Sequence, residues 1–98
     1  MIVIEGTIRF SQGGLDAARS AMETMIHATR AEDGCHEYSF SLDFLDPTRI
    51  WVNERWESRA ALQAHARSAH MAEWRTIATE IGLTERSLRL YEAEPEEL

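Results

Sequence analysis

An α+β sandwich, one four-stranded antiparallel sheet with helices on a single side, is the fold class the sequence predicts. Three observations carry it. The chain has 98 residues, 44% hydrophobic and 28% charged, enough for one core and too few for two. Four segments place apolar residues at period two. Between them lie stretches whose apolar residues recur every three or four positions, the spacing of a helix that buries one face.

In Ile2 to Phe10, residues Ile2, Ile4, Ile8 and Phe10 share one side with Gly6 between them, while Glu5, Thr7 and Arg9 take the other, which predicts a first strand. Ser11-Gln12-Gly13-Gly14 breaks it. A helix is then expected from Leu15 to Glu32, with Leu15, Ala18, Met22, Met25, Ile26 and Thr29 as its stripe and Gly34 as its stop. Next, His36, Tyr38, Phe40, Leu42 and Phe44 alternate with polar residues as a second strand. The turn Asp46-Pro47-Thr48-Arg49 leads into Ile50 to Trp56, and the two strands read as an antiparallel hairpin. Ser58 suits a helix N-cap ahead of Ala61, Leu62, His65, Ala66 and Ala69. A further helical piece, Met71 to Ile81, ends at Gly82, Leu88 and Leu90 mark a last strand, and an acidic run closes the chain.

The order strand, helix, strand, strand, helix, strand predicts a ferredoxin-like βαββαβ domain over residues 1–92, with 93–98 as a solvated acidic tail. Helices cover one sheet face and leave the other open. Trp51 points to the open side, opposite Ile50, Val52 and Trp56, and Asn53 shares that side. A second copy packed there would bury it, so a homodimer built as a dimeric α+β barrel is expected.

Seventeen acidic residues against ten basic ones give a net charge of -7, which leaves no phosphate-neutralising surface for nucleic acid. The lone Cys35 forms no intramolecular disulfide and fits a reducing, cytoplasmic setting; beside Gly34 it reads as a small buried hydrophobe. Met1-Ile2-Val3-Ile4 runs straight into Glu5 without a basic leader or a membrane-length apolar stretch, so neither a targeting segment nor a membrane partner is expected.

Two polar residues stand out on faces assigned to the core. Glu54 shares its strand face with Ile50, Val52 and Trp56, where an unpaired carboxylate is costly and its pKa rises. His65 lies one turn after Leu62 and one before Ala69, so it leans toward the same sheet. Such a pair either satisfies itself within the core or marks a site. His65 and His70 are five residues apart, about 140° around a continuous helix, so they do not converge unless the helix breaks between them, and without the usual zinc or iron ligand spacing no metal site is expected. Gly13-Gly14 is a turn signal rather than a nucleotide loop.

The run Glu32-Asp33-Gly34-Cys35-His36-Glu37-Tyr38, followed by Glu54-Arg55-Trp56, Ala61-Leu62-Gln63-Ala64-His65 and Ser68-Ala69-His70, resembles the antibiotic biosynthesis monooxygenase superfamily. Each piece is weak alone, and their order and spacing together are fairly specific. The resemblance implies a ferredoxin-like dimer with a small hydrophobic pocket between sheet and helices. Some members oxidise quinols or polycyclic phenols with oxygen and no cofactor, and some degrade haem. Haem degraders also use an Asn on the first strand, which Ile2 to Phe10 lacks.

The expected activity is therefore cofactor-independent oxidation of a small quinol-like or phenolic aromatic. A phenol must lose its proton before it passes an electron to oxygen. His65 is the candidate base, Glu54 the residue that orients it or holds its proton, and Trp56 with Tyr38 the clamp on the ring; His36, His70 and Met25 complete the expected pocket. Two other readings use the same residues: a non-catalytic dimer that binds a small hydrophobic molecule, and an isomerase of a small keto compound.

Overall fold

A computed structural model describes residues 1–98. Its elements are β1 (Ile2–Phe10), α1 (Gly14–Arg30), β2 (Cys35–Leu42), β3 (Arg49–Trp56), α2 (Arg59–Ala66), α3 (Ala69–Ile81) and β4 (Leu83–Glu92). The four strands form one antiparallel sheet in the order β2-β3-β1-β4. This is the ferredoxin-like arrangement read from the sequence, with the second helical layer divided into two. Residues 93–98 carry no regular structure and are exposed. No helix is long and apolar enough to cross a membrane.

Alternation on the two central strands builds the core. Ile2, Ile4, Ile8 and Phe10 of β1 lie across from Trp56, Glu54, Ile50 and the residues beyond, all on the helix side. Ala18, Met22, Met25 and Thr29 of α1, with Trp74 and Ala78 of α3, close over them. Gly6 sits at φ 153°, and a Cβ there would lie 2.0 Å from the Ser87 carbonyl oxygen, so only glycine lets β4 approach β1 this closely.

Helix ends follow their capping chemistry. The Ser58 and Ser68 hydroxyls accept the Ala61 and Met71 amides at 3.2 and 3.3 Å and start α2 and α3. Gly34 at φ 82° turns the chain from α1 into β2 and packs where a Cβ would strike Ala61 at 2.7 Å.

Two expectations about β2 need correction. The strand stops at Leu42 rather than reaching Phe44, because the Asp43 carboxylate captures the Leu45 and Asp46 amides at 2.8 and 3.1 Å and bends the chain first. Phe44 is left 101% exposed. At the other end a β-bulge between Cys35 and Glu37 inserts His36 as an unpaired residue, which breaks the period-two pattern. His36 therefore does not share the inward face of Tyr38; it is exposed and pairs with Glu57.

The helices stop short of β4. Its inward residues Arg86, Leu88 and Leu90, opposite Ile8, Gly6 and Ile4, are only partly covered, with Leu90 40% exposed. A cleft results between this edge strand and the α2–α3 layer.

Candidate functional site

The cleft is a cavity of about 660 Å³. Ile4, Ile8, Val52 and Glu54 form its floor, Leu62, His65, Trp74 and Ala78 its roof, and Arg86, Leu88 and Leu90 its outer wall. Tyr38 and Phe40 close the far side. A mostly apolar chamber with a few convergent polar groups is the usual form of a small-molecule site.

Glu54 reaches the floor because β3 alternates and Ile4 stands opposite it. It is 5% exposed, and its Oε1 accepts the Trp56 indole N–H at 2.9 Å. Burial raises its pKa, against the opposing pull of that bond and of the Arg86 guanidinium.

His65 hangs from α2 into the roof and is 4% exposed. Its Nδ1–H donates to the Glu32 Oε2 at 2.6 Å, and the His70 Nε2–H donates to the same oxygen at 3.1 Å. A carboxylate only accepts, so this contact fixes the proton of His65 on Nδ1 and leaves Nε2 with a free lone pair. Burial lowers the His65 pKa, and Glu32 partly offsets that effect. The imidazole lies 4.7 Å from the Trp56 ring and 5.3 Å from the Tyr38 ring, centroid to centroid.

Both residues expected to carry chemistry, His65 and Glu54, line the cavity, but no hydrogen bond joins them. The partner of His65 is Glu32, and Glu54 is held by Trp56. Trp56 does not face the cavity: it is 0% exposed, behind His65 and Glu54, because its indole is turned to satisfy that carboxylate. Tyr38 does face the cavity, and burial holds its hydroxyl protonated far above neutral pH, so it is a proton donor there and not a base. Met25 is buried in the core against Thr29, outside the cavity, and the bulge takes His36 away from it. Burial, followed by the nearby Glu32, Glu54 and Glu37 carboxylates, also raises the Cys35 thiol's pKa, which disfavours the nucleophilic thiolate.

Arg86 and Glu32 are among the site residues that escape the sequence reading. Arg86 alternates with Leu88 and Leu90 on the last strand, and extending that period by one step would have found it. Glu32 stands just beyond α1, 33 residues from His65, and no local pattern links them.

The expected divergence of His65 and His70 is also corrected, since it assumed an unbroken helix. The break at Arg67 and Ser68 folds α3 back, so the two imidazoles and the Glu32 carboxylate place their ligand atoms within 4.8 Å of one another.

Comparison with known proteins agrees with this architecture. A structure of an antibiotic biosynthesis monooxygenase type from Deinococcus radiodurans superposes with a TM-score of 0.90 at 24% identity, covering 100% of this chain and 97% of that one. Rv0793 of Mycobacterium tuberculosis superposes with a TM-score of 0.85 at 28% identity, over 97% of this chain and 96% of its own. In sequence, Rv0793 is 37% identical over 65 residues, 66% of this chain and 63% of that protein. An uncharacterized Synechocystis protein is 30% identical over 73 residues, 74% of this chain and 50% of its own, so the aligned stretch spans less than two thirds of either relative. The profile of the antibiotic biosynthesis monooxygenase family matches residues 1–76, and this chain belongs to that family.

Proposed function

We propose that the chain is a monooxygenase that oxidises a small quinol-like or phenolic aromatic with molecular oxygen, without an organic cofactor. The observation that carries this reading is His65: a buried imidazole on the cavity wall, held by Glu32 in the tautomer whose Nε2 accepts a proton. Family membership and the monooxygenase name of Rv0793 support the reaction class.

Binding in an apolar chamber strips water from the ring, and His65 takes the hydroxyl proton as the substrate becomes a phenolate. That anion is electron-rich enough to reduce oxygen. For a dihydroxy aromatic the balance closes on two reactants: the ring gains one oxygen atom and is oxidised to a hydroxyquinone, while the second oxygen atom leaves as water with the two hydrogens lost. Glu32 steadies the imidazolium formed on the way. Tyr38 and Arg86 line the same cavity and offer the substrate's oxygens a neutral donor and a cation.

We further infer a homodimer through the sheet face that carries Trp51, in the manner of a dimeric α+β barrel, and a reducing, cytoplasmic setting for the free Cys35. The test is oxygen uptake by metal-free protein with a panel of quinols. Stoichiometric uptake that His65→Ala abolishes supports the proposal. Binding without turnover would favour a carrier, and turnover without oxygen would favour an isomerase that uses the same base.

A further inference from the structure

We propose that Glu32, His65 and His70 form a binding site for a divalent transition-metal ion of the zinc, cobalt or nickel type, and that occupying it switches the base off. The second half of this statement rests on the base role proposed above; the first half does not.

The donor set is the first argument. Two imidazole nitrogens and one carboxylate oxygen suit borderline cations, whereas calcium and magnesium take oxygen ligands. Geometry is the second. The three ligand atoms lie within 4.8 Å of one another, with Nδ1 of His65 and Nε2 of His70 at 2.6 and 3.1 Å from the same Glu32 oxygen. Around an ion bound tetrahedrally at about 2.0–2.2 Å, ligand atoms stand about 3.3–3.6 Å apart, so the two imidazole nitrogens, at most 4.8 Å apart, close by up to about 1.5 Å and the Glu32 carboxylate pivots by about 1 Å or less. It is half-buried on a flexible stem just beyond α1, which permits that movement.

The histidines are preorganised by a single hydroxyl. Ser68 donates to the His65 carbonyl at 2.7 Å and accepts the Met71 amide at 3.3 Å, which ends one helix and starts the next so that His70 turns back beside His65. The ion would replace the two ring protons that now point at Glu32. With metal on Nδ1, the remaining proton of a neutral His65 ring must sit on Nε2, and the nitrogen proposed above as the base can no longer accept one. Metal binding and base catalysis are thus mutually exclusive on the same ring.

The experiment is titration of the full-length, chelator-stripped protein with zinc, and with magnesium as control, by isothermal calorimetry. We expect one zinc per chain at micromolar or tighter affinity and no heat with magnesium. His70→Ala, and His70→Asn as a second variant should the first not fold, should weaken zinc by about tenfold or more. Absence of saturable zinc binding, or a folded His70 variant that binds as tightly as wild type, overturns the site. Zinc that binds at this stoichiometry and leaves quinol-dependent oxygen uptake unchanged overturns the switch. Absent oxygen uptake in the stripped enzyme counts against the proposed activity and leaves the calorimetric result standing.

Discussion

Trp56 lies beneath His65 at a ring separation of 4.7 Å, tilted by 35°, and donates its indole N–H to Glu54. One fully buried side chain therefore sets the position of both ionisable residues in the cavity. Trp56→Phe would keep an aromatic surface under the imidazole and leave the Glu54 carboxylate without its donor. A loss of roughly 1–3 kcal/mol in urea denaturation is expected, the cost of a buried group deprived of its partner.

Glu54→Gln should act in the opposite direction. The folded pKa of Glu54 is raised by burial, so its contribution to stability is fully present below the unfolded carboxylate value and is lost as pH rises through the folded one. At neutral pH the charge costs stability, and glutamine still accepts the Trp56 N–H. The melting temperature of this variant should exceed that of wild type at pH 7 to 8, with the gain disappearing near pH 4. A lower melting temperature at pH 8 would contradict this.

Activity should depend on His65 with a characteristic pH profile. Removing a positioned base typically lowers the rate by about 10²–10⁴-fold, and His65→Ala should do so while remaining folded. The wild-type acid limb of kcat/KM should fall below the ordinary imidazole value near 6.5, because burial lowers the His65 pKa and only the neutral ring accepts a proton. Glu32→Gln removes the group that raises that pKa, so its acid limb should move lower still while the rate falls. An unshifted limb would remove Glu32 from the proposed dyad.

Gly6→Ala should be among the most damaging substitutions on the sheet. Its Cβ would meet backbone, the Ser87 oxygen at 2.0 Å, which a side-chain rotation cannot relieve. The main effect expected is detachment of β4, with a destabilisation of about 3 kcal/mol or more measured by thermal melting.

The sheet face away from the helices carries Trp51, partly exposed, whose indole N–H reaches Asp43 at 2.8 Å. Trp51→Glu should shift a sedimentation profile toward monomer before it affects binding in the cavity. A wild-type monomer at micromolar concentration would refute the proposed dimer.

Much of this architecture is legible in the sequence because it rests on local periodicity. The alternation of β1 and β3, the caps at Ser58 and Gly82 and the inward placement of Glu54 and His65 all follow from spacing. The errors share one cause, a single residue that resets a period. His36 leaves its expected face because of one bulge, Phe44 leaves the strand because the Asp43 carboxylate captures two amides, and His70 rejoins His65 because Ser68 interrupts a helix. Glu32 is illegible for a different reason: its partnership is tertiary, formed only when the end of α1 meets the α2–α3 junction.

The incomplete cover over β4 separates two tasks that many pockets combine. The groups proposed to handle protons are anchored on interior β3 and beneath the helices, where any change disturbs the core, whereas Arg86, Leu88 and Leu90 stand on an edge strand with water on one side. Exchanging those three for bulkier, smaller or more polar residues would redraw the shape and polarity offered to a guest while the interior strands keep their places. Divergent relatives could acquire new guests by rewriting that rim while the Glu32–His65 dyad stays as it is.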